Sequence, residues 1–214
     1  MPLNKNKEYY QKTEWTLDTV QDEINNGLQL LNSIQNPIVS FFGSHRVKPG
    51  TKYYEHCKKL SNELGKNGYA IISGGGPGIM HAANSGAKNS GTDSIGLMAK
   101  LLTDELIKEK IFTHKLEFHF LFVRRFIMSI KSEALVFYPG GYGTLNELFE
   151  YAVLMQTGIV DKVPIICVNK KYWKGLFNWL EKNPEKENMF IHNNDIRLLY
   201  LVDEIDEVIN IIKN

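Results

Sequence analysis

Short apolar runs recur along the chain, and the small residues at their carboxyl ends are the strongest constraint on its fold. Ile38–Phe42 (IVSFF) runs into Gly43-Ser44. Tyr69–Ser73 (YAIIS) runs into GGGPG, Gly74 to Gly78, and Ala134–Tyr138 (ALVFY) runs into PGGYG, Pro139 to Gly143. SIGLMA, LEFHFLF, VPIICVN and LLYLVD are further runs of strand length. Helical patterns lie between them at Lys52–Asn67, from Gly78 to about Ala87, near Arg124–Lys131 and from about Glu204 to Ile212. Apolar strands alternating with helices indicate a parallel sheet covered on both faces.

The expected fold class is therefore α/β, a Rossmann-like doubly wound parallel sheet with helices on both faces. Ligands in such sheets bind beyond the carboxyl ends of the strands, so three small or glycine-rich strand ends point to one site. Residues 1–36 read as an N-terminal helical extension and residues 37–214 as a single Rossmann-like domain. The extension carries a stripe, Leu17, Val20, Ile24, Leu28, Leu31 and Ile34, whose steps of three and four place it on one helix face. That face can fold back on the sheet or meet a second copy of the chain.

Composition narrows the function classes. The 25 Lys and Arg against 24 Asp and Glu leave a net charge of +1, which argues against a dedicated nucleic-acid binder. Two cysteines, Cys57 and Cys167, and six histidines show no metal-ligand spacing, and neither a metal nor another cofactor is expected. No apolar stretch approaches the length of a membrane span, and no start of secretory type is seen. A cytoplasmic protein is the expectation, with no nucleic-acid or membrane partner.

The glycine loops fit neither of two familiar phosphate motifs. A dinucleotide fingerprint G-x-G-x-x-G begun at Gly74 would need its last glycine at Ile79, and begun at Gly76 at His81. The P-loop fails because GKN at Gly65 ends in Asn67 rather than Ser or Thr. The physics of anion binding is still present. Glycine lets backbone N–H groups approach an anion closely, and a helix start adds unpaired N–H groups and a positive dipole end.

Two readings of Glu147 stand side by side. Thr144–Glu147 (TLNE) matches the capping box S/T-x-x-E, which needs no ligand. A plain cap, however, does not need PGGYG before it. A carboxylate beside a phosphate calls for a cation nearby, and Arg124 and Arg125 in VRRF offer one, by themselves as readily a solvated pair at a helix start. His45, beside Gly43-Ser44, reads first as a surface or core residue.

Arg124-Arg125 followed 14 residues after Arg125 by Pro139-Gly140-Gly141-Tyr142-Gly143-Thr144-Leu145-Asn146-Glu147 resembles the LOG family, the cytokinin riboside 5'-monophosphate phosphoribohydrolases. Ser73–Asn84 (SGGGPGIMHAAN) resembles the family's earlier glycine loop and Phe41–Arg46 (FFGSHR) its first strand end. LEFHFLFVRR, QTGIV and YWKGLFNWL resemble its bacterial branch with an N-terminal extension. The likeness runs from about Ile38 to Asn214. Two departures stand out. The family's Arg-Lys is Arg-Arg here, and MAKLLTDELIKEK, Met98 to Lys110, replaces an acidic, proline-containing stretch. Members have carried the label lysine decarboxylase, yet no motif marks a lysine for pyridoxal phosphate.

The resemblance implies hydrolysis of the N-glycosidic bond of a nucleoside 5'-monophosphate, AMP or N6-substituted AMP, as in an AMP nucleosidase. Catalytic roles fall to Arg124 and Glu147. Substrate binding falls to Gly43, Ser44, Gly74, Gly75, Gly76, Arg125, Gly140, Gly141, Tyr142, Gly143 and Thr144, with the 5'-phosphate on the turn from Gly140 to Thr144. Glu147 could stabilise a cation-like sugar, hold ribose hydroxyls or activate water. The resemblance also implies a homodimer or a larger even-numbered assembly that pairs beside the site. The alternative from the same fold superfamily is a nucleotide or molybdenum-cofactor carrier without turnover, and a further one a single-strand DNA binder.

Overall fold

A computed structural model of the chain describes residues 11–100, 110–182 and 198–213. The chain order is α1 (Thr13–Ser33), β1 (Ile38–Phe42), α2 (Lys52–Lys66), β2 (Ala70–Ser73), α3 (Ile79–Ser90), β3 (Ser94–Ala99), β4 (His114–Phe118), α4 (Leu121–Ser129), β5 (Ser132–Phe137), α5 (Tyr142–Gln156), β6 (Ile165–Val168), α6 (Lys170–Leu180), β7 (Leu199–Val202) and α7 (Ile205–Lys213). The strands form a seven-stranded sheet in the order β4-β3-β2-β1-β5-β6-β7. Every pairing is parallel.

The period of two in each strand explains the two cores. Ile38, Phe42, Ile72, Leu97, Leu135 and Phe137 face one side, where residues of α1, α4, α5 and α6 cover them. Val39, Phe41, Ile71, Val136, Ile166 and Val202 face the other, against α2, α3 and α7. All five β1 residues are buried, as a central strand covered twice requires. From β1 the chain winds outward through β2, β3 and β4, then returns to β5 at the other flank of β1. The order reverses between β1 and β5, and the crevice at their carboxyl ends is the expected ligand position for such a sheet.

Helix α1 is fastened to both ends of α4. The Glu23 carboxylate accepts the backbone N–H groups of His119 and Phe120, satisfying donors at the start of α4. Lys131, just beyond α4, donates its Nζ to the carbonyls of Leu31 and Ile34 at 2.8 and 2.6 Å, closing the carboxyl end of α1. Gly27 permits this close packing, because a Cβ there would stand 2.6 Å from the Ile127 side chain. Leu31 and Ile34 are buried in the core, while Leu17 and Leu28 of the same stripe stay exposed. Burying a residue of that size is worth roughly 2 kcal/mol, so the covered half of the stripe is enough to hold α1 down.

Two element boundaries differ from the sequence reading. The fourth strand is His114–Phe118 rather than LEFHFLF, and α4 begins at Leu121 rather than near Arg124. The apolar run misleads because Phe120 and Val123 enter the core from the helix. A short apolar run has the same composition in either conformation. Arg124 and Arg125 consequently lie inside α4 and not at its start. Among the described residues, no helix is long and apolar enough to cross a membrane.

Candidate active site

At the β1/β5 switch point lies a cavity of about 720 Å³. Its size falls in the range of small-molecule sites. The strand-end loops are tied to one another around it. Ser44 N–H donates to the Pro139 carbonyl, and Ile79 N–H donates to the Ser44 carbonyl, each at 3.1 Å. In the second glycine loop, Gly75 has φ +67°, a left-handed conformation suited to glycine, and its N–H donates to Ser73 Oγ. Ser73 Oγ donates in turn to the fully buried Asn84 of α3.

The start of α5 decides one of the two readings of Glu147. The helix begins at Tyr142, its cap residue is Gly141, and no side chain caps it. Thr144 and Glu147 thus sit within the helix, and TLNE is not a capping box here. Thr144 is buried, and its side chain packs where a Cβ on Gly140 would be. The first N–H groups of α5 are not used by a side-chain cap, and neither α5 nor α3 has an acidic residue in its first turn. Both helix starts border the cavity, which turns two positive dipole ends toward it.

Glu147 projects from the second turn of α5 into this space. Burial pushes its carboxyl up from 4.5 to about 7, against the pull of the neighbouring Arg124 and Arg125 charges and with a push from Glu150. Arg124 reaches the same cavity from α4 and donates its Nε to the Leu97 carbonyl at 2.6 Å. Its guanidinium lies against Gly74, where a Cβ would meet Nη2 at 1.9 Å. Burial lowers the Arg124 pKa, with Glu147 opposing that shift. A half-buried acid raised toward neutrality beside a pinned cation, in a cleft lined by helix starts, is a recognised pattern of reactive sites.

Most of the residues singled out in the sequence meet here. Gly43, Ser44, Gly74, Gly75, Gly76, Arg124, Gly141, Tyr142, Gly143, Thr144 and Glu147 all line the cavity. Gly140 and Arg125 do not. Gly140 lies behind the loop against Thr144, and the Arg125 Nε pairs with Glu150 Oε2. His45, read first as surface or core, does line the cavity. Arg46, Met80, Met98 and Ala99 line it too and were not singled out. Met98 and Ala99 end β3, so the rule that ligands meet strand carboxyl ends would have found them. Of the divergent stretch after β3, residues 101–109 lie outside the described residues. Among the described residues, no group of three or more His, Cys, Asp or Glu could hold a metal ion.

Known proteins resemble this chain in sequence and in shape. A family model described as possible lysine decarboxylase matches residues 80–212. A probable cytokinin riboside 5'-monophosphate phosphoribohydrolase of Oryza sativa subsp. japonica, LOGL6, is 31% identical over 75% of this chain and 64% of its own length. The cytokinin riboside 5'-monophosphate phosphoribohydrolase LOG3 of Arabidopsis thaliana is 30% identical over 70% of this chain and 69% of its own. The chain thus spans roughly two thirds of these relatives. The molybdenum cofactor binding protein of Rippkaea orientalis superposes with a TM-score of 0.62 at 18% identity, over 85% of this chain and 98% of that one. DNA processing protein A of Streptococcus pneumoniae superposes with a TM-score of 0.55 at 16% identity, over 82% of this chain and 62% of that one. Identities this low speak for a shared fold alone. The family model spans more than half of the chain and LOG3 is matched over more than two thirds of its length, so the chain belongs to the LOG family.

Proposed function

We propose that the chain hydrolyses the N-glycosidic bond of an adenine-type nucleoside 5'-monophosphate, releasing free base and ribose 5-phosphate. The observation that carries this reading is Glu147, a cavity carboxyl held near neutrality by burial and placed beside the start of α5. The 5'-phosphate rests on the N–H groups of the Gly141–Thr144 turn. The bond from C1' to the base nitrogen breaks and its electron pair leaves with the base. Water adds at C1', losing one proton while the leaving base gains one. The sugar passes through a cation-like state, which the Glu147 carboxylate stabilises while it directs the water. Arg124, pinned by the Leu97 carbonyl, keeps Glu147 ionisable and oriented. The relatives named phosphoribohydrolases support this chemistry. Among the described residues that line the cavity there is no lysine, the residue that a Schiff base with pyridoxal phosphate requires.

Incubating the pure protein with AMP, N6-substituted AMP and the matching nucleosides, and measuring free base, tests the reading. Monophosphates are cleaved and nucleosides are not. Equal release from AMP and adenosine would remove the phosphate anchor, and tight binding of AMP without release would make the protein a carrier.

The assembly belongs to the same proposal. Phe122 and Phe126 of α4 and Ile130, which caps it, form an exposed row at helical spacing, and Phe149 and Val153 do so on α5. These are the helices that carry Arg124 and Glu147. An uncovered apolar face of this kind marks an interaction surface, and a second copy meeting it gives a homodimer beside each site, or a larger even-numbered assembly. Light scattering at low micromolar concentration reads the mass, and a fully active monomer overturns the pairing.

A further inference from the structure

We propose that Tyr172, on the far side of the glycine loop from the cavity, is a positioning residue for the substrate phosphate; this rests on the phosphate-anchor reading above. Its hydroxyl donates to the Gly140 carbonyl. Tyr172 itself does not line the cavity, whereas Gly141 does. Every described peptide bond is trans, and across a trans peptide the C=O and the next N–H point in opposite directions. Holding the Gly140 carbonyl toward α6 therefore turns the Gly141 N–H away from α6, on the side where the cavity opens.

The loop needs such a hold. Gly140 and Gly141 are consecutive glycines, the residues with the widest backbone freedom. The preceding carbonyl is already taken, because Pro139 accepts the Ser44 N–H. Thr144 fills the space against the Gly140 Cα. The Gly140 carbonyl is the remaining handle on this peptide plane, and only Tyr172 grips it among the described residues.

Tyr172 is well braced for the task. It stands in the first turn of α6, capped by Asn169 at φ +86°, whose Oδ1 accepts the Tyr172 N–H at 2.7 Å. Asn169 Nδ2 donates to the Tyr53 hydroxyl of α2 at 3.0 Å. The Tyr172 ring packs edge-on against the fully buried Trp173. The brace thus links the loop to helices on both faces of the sheet. It stands to the PGGYG loop as the Ser73–Asn84 bond stands to the GGGPG loop.

The test is Tyr172→Phe, which removes the hydroxyl and keeps the ring. At 44% exposure the site tolerates the change, and an unaltered thermal midpoint confirms folding. The expected result is a KM for the monophosphate raised about fivefold to tenfold, the scale of one hydrogen bond, with kcat within about threefold. Inhibition constants for ribose 5-phosphate and inorganic phosphate rise by the same factor, while that for free adenine stays put. Unchanged phosphate constants in the variant, or a loss confined to kcat, overturn the positioning role alone. A wild-type protein that neither ribose 5-phosphate nor phosphate inhibits overturns the phosphate anchor and this role together.

Discussion

Helices α4 and α5 hold two arginine–glutamate sets made of the same residue types, and the two have different fates. Arg125 and Glu150 close on one another as an ion pair, and the Tyr151 hydroxyl donates to the Arg125 carbonyl beside it. Arg124 and Glu147, one residue and three residues away along the same helices, open into the cavity instead. One step along an α-helix turns a side chain by about 100°, and three steps leave it about 60° from where it began. Those rotations suffice to send one set into a closed contact and the other toward solvent. A closed pair has its charges matched. An open set keeps an acid that burial has raised to about 7, which can exchange protons at the pH of the reaction.

Replacing the two glutamates separately breaks the comparison most sharply. Glu147→Gln should fold, since Glu147 takes no part in capping α5, and should lose about a thousandfold in base release, within the range for a proton-transfer group. Glu150→Gln should stay within about fivefold. Equal losses in the two variants, measured by free base at saturating AMP, would erase the distinction between open and closed sets.

The arginines give the next largest contrast. Arg124→Ala should cost about a hundredfold in kcat/KM, because it removes a cation that a cavity acid needs. Arg125→Ala should act mainly on stability, by about 1 kcal/mol for a partly exposed ion pair, read from urea unfolding. A reversed order would mean that Arg125 reaches the substrate in an assembly.

The pH dependence sharpens the assignment of the acid. The carboxyl of Glu147 has a folded value of about 7, above its ordinary 4.5. Its ionisation therefore opposes folding. Stability is full below about pH 4.5, falls as pH rises through 7, and is level above, by up to about 3 kcal/mol. In wild type kcat/KM should rise about tenfold per unit up to an apparent pKa near 7. In Glu147→Gln both the limb and the stability loss should vanish. A limb that persists in the variant assigns the titration to another group.

The glycine-bearing strand ends were legible because glycine after an apolar run has few explanations in a parallel sheet. Elements with ambiguous local signals were less legible. Leu121 to Val123 could be strand or helix by composition, and only the packing of α4 onto α1 and β4 makes them helical. TLNE satisfies a capping pattern, but α5 starts earlier, at Tyr142, once Gly140 and Thr144 interlock.

The sequence by itself determined the α/β alternation and the three glycine-bearing strand ends, because strand periodicity and glycine freedom are local properties. Which arginine faces the cavity, which glycine is hidden behind the loop, and that His45, Arg46 and Met98 join the site were decided by tertiary structure. Helix α4 is held to α1 by the Glu23 contact at its start and the Lys131 contact just beyond its end, made by residues about a hundred positions apart that no local pattern can register.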